Sequence, residues 1–312
     1  MLPQLTIVVP CYNEQDVLPI STPVFVGVIR DLVEKKLVSE NSRVMYVDDG
    51  SRDETWRLIS EFASKHDEVK GVRLSRNRGH QVAVLAGMTE AQGDLIATID
   101  ADLQDDPAVI EQMVLKSTQD GCDIVYGVRA DRSTDTVFKR NTAEQYYKLL
   151  KFLGVDIVFN HADFRLMSRR ALDSLLEYRE ANLFLRGIVP MIGYRSGVVE
   201  YSRSERQAGE SKYPLAKMVS LAWEGVTSLS IRPLRLITAL GVVISMLAFA
   251  TTIFAFAAAL AGASVEGWAS VIIAISFFGG VQLLALGLIG EYVGKIYLEV
   301  KRRPKYFVDS RV

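Results

Sequence analysis

The residues most able to do chemistry lie in three short polar clusters, each of which follows a predicted strand. The clusters are Asn13-Glu14, Asp48–Ser51 and Asp100–Asp105. Any one of them alone is typical of a turn or of a helix N-cap. Because the carboxyl ends of parallel strands meet at one edge of a sheet, three clusters at successive strand ends predict a single binding site.

The residue types in these clusters favour a nucleotide diphosphate held through a divalent metal. Carboxylates repel a pyrophosphate unless a hard cation lies between them, and Asp102 and Gln104 offer oxygen ligands for Mg²⁺ or Mn²⁺. Asp100 and Asp49 are then candidates to bind the hydroxyls or base edge of the nucleoside, and Tyr12 to stack on it. The chain contains neither GxxxxGK[ST] nor GxGxxG, which disfavours a P-loop kinase and a dinucleotide dehydrogenase.

Short apolar runs alternate with mixed-charge helical segments through the first 230 residues or so. Several runs are nearly continuous Val, Ile and Leu, as in strands that are covered on both faces. The predicted strands are Leu5–Val9, Arg43–Val47, Val72–Leu74, Leu95–Ile99 and Asp123–Tyr126. The predicted helices are Val17–Leu37, Glu54–Lys65, His80–Ala91 and Pro107–Gln119. This alternation predicts a doubly wound, Rossmann-like α/β domain.

The overall composition hides two different regions. The 312 residues carry a formal net charge of −1, and 23% are charged although the mean hydropathy is +0.16. Disorder and nucleic-acid binding are disfavoured, because the former needs low hydrophobicity and the latter a basic excess. The two cysteines, Cys11 and Cys122, form no disulfide framework or zinc motif. No signal peptide is recognised at the N-terminus, so we expect the first region to be cytoplasmic.

Two uncharged runs near the C-terminus predict a membrane anchor. Residues 236–265 and 267–290 each exceed the roughly 20 helical residues that cross a hydrocarbon core. Basic residues precede the pair at Arg232 and Arg235 and follow it from Lys295 onward, so the positive-inside rule places both ends in the cytoplasm. The protein is therefore expected in the inner (plasma) membrane as a multi-pass protein. The alternative is a buried helical hairpin in a soluble core.

The predicted domain boundaries follow from these patterns. Residues 1–212 form the cytoplasmic catalytic domain, 213–233 a juxtamembrane amphipathic helix, 234–294 the two membrane helices (about 236–262 and 267–291), and 295–312 a basic cytoplasmic tail. Glu144–Leu153 and Pro214–Leu229 have the pattern of helices at a membrane surface. For the first of these, an amphipathic helix packed on the core is an equally good interpretation.

Seven segments together resemble the family 2 glycosyltransferases of GT-A fold, and within them the polyprenyl-phosphate glycosyltransferases. That group includes dolichol-phosphate mannose synthase and the bacterial GtrB-type enzymes. The segments are VVPCYNE (8–14), VDDGSRDET (47–55), LSRNRGHQVAVLAGMTEAQGD (74–94), DADLQDDP (100–107), YGVR (126–129), DFRLMSRRAL (163–172) and RQAGESKYP (206–214). The similarity runs through nearly the whole chain, including the two C-terminal helices.

The resemblance implies roles for individual residues. The nucleotide-sugar pocket is expected to contain Pro10, Tyr12, Glu14, Val47, Asp49, Asp100, Ala101, Asp102 and Arg129, with Asp102 and Gln104 as metal ligands. The cationic residues expected to face phosphates are Arg129, Arg206 and Lys212, with Arg140 as a further candidate for the acceptor phosphate. Arg206 and Lys212 are also expected to be catalytic residues, and they flank Gly209 in a loop expected to close on the nucleotide.

Asp163 is expected near the reacting centre, as a base or as an orienting residue. The alternative for Asp163 is a structural ion pair with Arg165 or Arg129. His80 and His161 lack partners at metal-ligand spacing and are assigned local structural roles.

The activity that the resemblance implies is inverting transfer of a hexose, best taken as glucose from UDP-glucose, to polyprenyl phosphate (undecaprenyl or dolichyl phosphate). GDP-mannose or another UDP-sugar remains an alternative donor. A processive polysaccharide synthase is disfavoured because the chain lacks a QxxRW segment. From a different class, a transporter subunit that senses nucleotide sugars is the remaining alternative. Small residues in the second apolar run offer a surface for a homo-oligomer, namely Gly279, Gly280, Gly287 and Gly290.

Overall fold

The structure is a computed structural model that describes residues 1–129, 161–180, 184–201, 226–227, 230–260 and 267–312. The chain divides into two compact units. The sheet unit comprises Met1–Lys148, Asp156–Pro214 and Arg302–Val312, and the hairpin unit comprises Leu149–Val155 and Leu215–Lys301.

The described residues of the sheet unit form one mixed sheet of eight strands. The strands are β1 (Leu5–Cys11), β2 (Arg43–Asp48), β3 (Val69–Leu74), β4 (Leu95–Thr98), β5 (Ile124–Arg129), β6 (His161–Ser168), β7 (Ser196–Tyr201) and β8 (Val308–Arg311). Their order in the sheet is β7-β5-β6-β4-β1-β2-β3-β8. Six strands are parallel to one another, while β6 and β8 run antiparallel to their neighbours.

Helices cover both faces of this sheet. Leu5, Ile7 and Val9 of β1 share a core with residues of α1 and α4, while Val8, which points the other way, lies under α3. The helices are α1 (Leu18–Glu34), α2 (Thr55–Lys65), α3 (His80–Glu90), α4 (Val109–Asp120), α5 (Arg169–Leu176) and α6 (Leu185–Met191). This arrangement of helices on both faces of a mostly parallel sheet confirms the predicted α/β fold class.

The structure adds elements that the sequence patterns did not predict. These are β6, β7, β8, α5 and α6. Strand β6 is inserted antiparallel between β4 and β5, with Arg165 opposite Thr98. Because β6 runs against β4, the start of β6 lies at the edge where β4 ends. Strand β8, in the segment predicted as a basic tail, pairs antiparallel with β3 and covers that edge of the sheet.

The hairpin unit contains two long helices, α7 (Arg232–Leu260) and α8 (Trp268–Lys301). Their apolar stretches are Arg232–Thr251, with mean hydropathy 2.0, and Phe277–Lys301, with mean hydropathy 1.4, so both are long and apolar enough to cross a membrane. The Tyr292 hydroxyl donates to the Ser230 carbonyl at 2.6 Å. This contact brings the second half of α8 beside the start of α7, as in an antiparallel pair.

Candidate active site

The three polar clusters meet at one edge of the sheet. In the parallel register, Cys11 lies opposite Asp48, and the Asp49 amide donates to the Cys11 carbonyl at 2.8 Å. On the other side of β1, the Ile99 amide donates to the Val8 carbonyl at 3.1 Å. The ends of β1, β2 and β4 are therefore aligned, and the residues that follow them surround one cleft.

Hydrogen bonds join the loops that follow β1 and β2. The Asn13 amide donates to Ser51 Oγ at 2.9 Å, and the Arg52 amide donates to Asn13 Oδ1 at 3.0 Å. Asn13 has φ of 55°, a left-handed conformation that Asn tolerates better than most residues. The Glu14 amide donates to Thr55 Oγ1 at 2.8 Å. These contacts fix the loop that carries Tyr12, whose side chain is 41% exposed.

Asp49 holds the loop that leads into α3. It is only 2% exposed, and its two carboxylate oxygens accept from the amides of Arg78 at 2.7 Å and Gly79 at 2.8 Å. Burial raises the pKa of Asp49, and the two amides oppose that shift. The adjacent Gly50, with φ of +66°, permits close approach, because a Cβ there would lie 2.6 Å from the Arg76 carbonyl carbon.

The turn after β4 presents the proposed metal ligands. Ala101, Leu103 and Asp105 are buried, whereas Asp102 and Gln104 are half-buried and alternate with them. Leu103 adopts φ of 56°, and the Gln104 amide donates to Asp102 Oδ1 at 3.2 Å. Asp105 accepts from the Tyr201 hydroxyl at 2.6 Å.

A carboxylate and an amide oxygen in one turn fit a hard divalent cation that takes its other ligands from phosphate and water. In the part of the chain that the structure describes, no three His, Cys, Asp or Glu side chains form a cluster suited to a metal. Asp102 and Gln104 stay the candidate protein ligands of the cation.

Asp163 lies beside this turn because β6 runs antiparallel to β4. The Thr98 hydroxyl donates to the Asp163 carbonyl at 2.6 Å, which fixes the start of β6 next to the end of β4. The Asp163 carboxylate, 15% exposed, accepts from Arg165 Nη2 at 2.8 Å and from Arg186 Nη2 at 2.9 Å. The ion pair with Arg165, an alternative from the sequence, is thus present.

His80 bridges Asp163 and the turn after β4. Its Nε2 lies 3.6 Å from Asp100 Oδ1 and 3.6 Å from Asp163 Oδ2. Burial lowers the pKa of His80, but its interactions with Asp163 and Asp100 outweigh this and raise the pKa above its ordinary value. His80 thus connects two acidic residues of the candidate site, and its local structural role stays a prediction.

The pKa of Asp163 is held well below its ordinary value. Burial acts to raise it, but the interactions with His80, Arg186 and Arg165 outweigh burial. A carboxylate with so low a pKa is a weak proton acceptor. Of the two roles expected for Asp163, the geometry favours orientation of its cationic neighbours over general-base catalysis.

Several residues of this network were not predicted as site residues, namely His80, Arg165 and Arg186. Gln81, whose Oε1 accepts from the Leu185 amide at 3.0 Å, was not predicted either. His80 and Gln81 begin α3, directly after the loop that Asp49 holds. Their position after the predicted strand Val72–Leu74 is the feature of the sequence that could have indicated a place in the site. Arg186 belongs to α6, far along the chain, and no spacing in the sequence connects it with Asp163.

The remaining predicted site residues fall into three groups. Pro10, Val47 and Ala101 are buried under the cleft, with Pro10 opposite Val47 in the register. The backbone of Arg129 ends β5 at the same edge of the sheet as the three clusters. Arg140, Arg206 and Lys212 lie outside the described residues, as do Gly209, Glu144–Leu153 and residues 214–225.

A mixed α/β sheet with acidic residues at the ends of β1, β2 and β4 is the arrangement of a GT-A glycosyltransferase. Comparison with known sequences confirms this class. The profile of glycosyl transferase family 2 matches residues 6–176. The chain belongs to glycosyl transferase family 2.

Relatives match almost the whole chain. The chain is 52% identical over 309 residues to an uncharacterised glycosyltransferase, YkoT, of Bacillus subtilis (strain 168), covering 98% of this chain and 91% of that one. It is 39% identical over 314 residues to the prophage bactoprenol glucosyl transferase homolog of Escherichia coli (strain K12), covering 98% of both. It is 40% identical over 309 residues to a prophage-derived bactoprenol glucosyl transferase of Shigella flexneri, again covering 98% of both.

Proposed function

We propose that this protein transfers glucose from UDP-glucose to polyprenyl phosphate, with inversion at the anomeric carbon. The observation that carries the proposal is the similarity to bactoprenol glucosyl transferases at about 40% identity, which covers 98% of this chain. The acidic cleft at the sheet edge supports the same reaction, because its composition suits a nucleotide diphosphate bound with a divalent cation.

In the proposed reaction, an oxygen of the lipid phosphate forms a bond to the anomeric carbon while the bond from that carbon to the diphosphate oxygen breaks. The electron pair of the broken bond leaves with UDP. A phosphate monoester is already anionic near pH 7, so the nucleophile needs no strong general base. This agrees with an Asp163 that orients its neighbours.

Asp102 and Gln104 would hold the cation, Mg²⁺ or Mn²⁺. When bound, such an ion stabilises negative charge on the departing diphosphate. Tyr12, exposed beside the ends of β1 and β2, is placed to stack on the base of the nucleotide. Arg129, Arg206, Lys212 and Arg140 stay the proposed phosphate-binding cations, because guanidinium and ammonium groups suit phosphate oxygens.

The acceptor is a lipid, and the apolar helices give the protein a way to reach it. We place α7 and α8 across the plasma membrane, with the catalytic domain and both chain ends in the cytoplasm. The large apolar side chains exposed along α7, among them Leu240, Met246 and Phe249, support this placement, because water is a poor environment for them. The contact between Tyr292 and Ser230 supports a hairpin whose two ends lie on one side.

A panel of nucleotide sugars tests the donor. The purified full-length protein is incubated with a short-chain polyprenyl phosphate, Mg²⁺, and UDP-glucose, another UDP-sugar or GDP-mannose in turn, and the lipid product is identified by its mass. We expect a hexosyl lipid phosphate from UDP-glucose at a rate at least tenfold above that from any other donor. A faster reaction with GDP-mannose would replace glucose by mannose in the proposal.

A further inference from the structure

The first turn of α6 is held against the active site by side chains from two other elements. The Leu185 amide donates to Gln81 Oε1 of α3 at 3.0 Å, and the Leu185 carbonyl accepts from Arg165 Nη1 of β6 at 3.5 Å. Gln81 is the neighbour of His80, and Arg165 lies opposite Thr98 of β4. The backbone that carries Arg186 is therefore fixed to the same elements that form the cleft.

The Arg186 side chain is bound to Asp163 through two hydrogen bonds. Its Nε donates to Oδ1 at 3.1 Å and its Nη2 to Oδ2 at 2.9 Å, a bidentate arrangement that fixes the plane of the guanidinium. The side chain nevertheless stays 44% exposed, whereas Asp163 below it is 15% exposed. Arg186 thus lies on the solvent side of this carboxylate.

Asp163 has a second cationic partner besides Arg186, the buried Arg165. Arg165 is 0% exposed, and its Nη2 donates to Asp163, while its Nε has no hydrogen-bond partner in the described part of the chain. Keeping a guanidinium there is unfavourable unless the carboxylate beside it is ionised. Asp163 therefore faces two guanidinium groups, and Arg186 is the exposed one of the two.

Arg186 lies near the cleft that is proposed to hold the phosphates of the donor and of the acceptor. His80 connects Asp163 to Asp100, at the end of β4, through two contacts of 3.6 Å. Arg186 is therefore separated from the turn that carries Asp102 by only two side chains. An oriented, partly exposed guanidinium at such a position suits a phosphate oxygen.

We propose that Arg186 binds a phosphate of a substrate, with Asp163, Arg165 and Gln81 as the positioning residues that hold it there. The inference rests on the proposed function, because it needs a substrate that carries phosphate. The phosphate belongs either to the diphosphate of the donor or to the lipid acceptor, and the same chemistry serves both.

Binding measurements separate these two sources. The full-length protein in detergent, with Mg²⁺, is titrated calorimetrically with UDP and, separately, with farnesyl phosphate. The variants are Arg186→Ala, Arg186→Lys and the control Arg170→Ala. Arg170 is likewise an exposed arginine paired with an aspartate, Asp123, but Asp123 directly precedes β5, away from the cleft. Melting temperatures show whether each variant is folded.

We expect Arg186→Ala to weaken binding of one probe at least tenfold, since a hydrogen bond between charged groups is stronger than one between neutral groups. Arg186→Lys keeps the charge but not the planar fork, so its loss should be smaller, and Arg170→Ala should stay within twofold of the unmodified protein. Weaker UDP binding assigns the donor diphosphate, and weaker farnesyl phosphate binding assigns the acceptor.

Two other results overturn the inference, and they are distinguishable. If the unmodified protein binds the probes and both Arg186 variants bind them as Arg170→Ala does, Arg186 contacts no phosphate while the proposed function stands. If the unmodified protein binds neither probe, the proposed function fails and the inference fails with it. Should Arg186→Ala not fold, Arg186→Lys alone decides, because unchanged binding in that variant contradicts a bidentate contact.

Discussion

Asp163 lies between two guanidinium groups and an imidazole, and these neighbours define its chemistry. Arg165 and Arg186 are within 2.9 Å of its carboxylate, and His80 is 3.6 Å away. All three stabilise the ionised form, so its pKa falls well below the ordinary value although the group is mostly buried. A carboxylate in this state attracts cations but accepts a proton poorly.

The Asp163→Asn variant distinguishes orientation from base catalysis. We expect its kcat to fall at least tenfold, because the amide no longer holds Arg186 and His80 by charge. We also expect the remaining activity to keep the acidic limb of the wild-type pH profile. Because its cationic neighbours hold the pKa of Asp163 well below its ordinary value, Asp163 stays ionised throughout the working range.

The measurement is kcat and KM against pH for the full-length protein, with Asp123→Asn as control. Asp123 also pairs with an arginine and has a lowered pKa, but it directly precedes β5, away from the cleft. Loss of the acidic limb in Asp163→Asn alone would identify Asp163 as the base and contradict the orienting role.

The proximity of some candidate site residues is predictable from the sequence, whereas that of others depends on long-range contacts. Asp102 and Gln104 follow a strand and share a turn, so their proximity is encoded locally. The grouping of Asp163 with His80 and Arg186 depends on the antiparallel register of β6 and on where α6 attaches. Such long-range contacts leave no periodic pattern in the chain.

Strand and helix positions were predictable wherever apolar periodicity was strong. The buried strands β1, β2 and β4 were predicted to within a few residues, because their sequences are nearly uniformly apolar. Strand β6 interrupts its apolar residues with Asp163 and Arg165, and β8 is mostly polar. Strand β6 was not predicted because its ion pair interrupts the apolar run. Strand β8 was not predicted because, at the edge of the sheet, it needs few apolar residues.

Helix α3 positions His80 and packs closely on the sheet. Adding one methyl group to α3, in Gly87→Ala, tests this packing. A Cβ on Gly87 would lie 2.3 Å from Val8 Cγ1 and 2.6 Å from Val47 Cγ2. We expect Gly87→Ala to destabilise the protein by about 1–3 kcal/mol and to lower kcat, because α3 must move away from β1 and β2.

Gly27→Ala is the matched control for this substitution. Gly27 also lies inside a helix, α1, but a Cβ there meets nothing within 4 Å. We expect that variant to be neutral or more stable by about 0.5–1 kcal/mol, since alanine favours the helix. Thermal melting in detergent checks both variants. Equal effects of the two substitutions would contradict close packing of α3 on the sheet.

At the scale of the whole molecule, a family 2 glycosyltransferase domain is joined to two long apolar helices. α8 has 34 residues and is about 51 Å long, whereas a hydrocarbon core is about 30 Å thick. In the proposed membrane placement, part of α8 therefore extends beyond the bilayer, and its last turns contain Lys295 and Lys301, as the proposal expects on the cytoplasmic side. The chain then returns to the sheet as β8.

Cysteine labelling tests the orientation of the hairpin. We expect Ser264→Cys, between the two helices, to react with a membrane-impermeant maleimide in intact cells. Arg303→Cys, after α8, should react only in lysed cells. Background should be low because Cys11 and Cys122 are buried. Labelling of both positions only after lysis would contradict a hairpin that crosses the membrane.

The most direct test of the whole account is transfer from UDP-glucose to a short-chain polyprenyl phosphate by the unmodified protein and by Asp102→Ala, followed by mass measurement of the lipid. Asp106→Ala is the matched control, because Asp106 lies in the same acidic run but accepts from the Ala108 amide at the start of α4. We predict a hexosyl lipid phosphate from the unmodified protein and from Asp106→Ala, and at least a hundredfold loss in Asp102→Ala with the fold intact. Absence of product from the unmodified protein, or full activity in Asp102→Ala, would contradict the account.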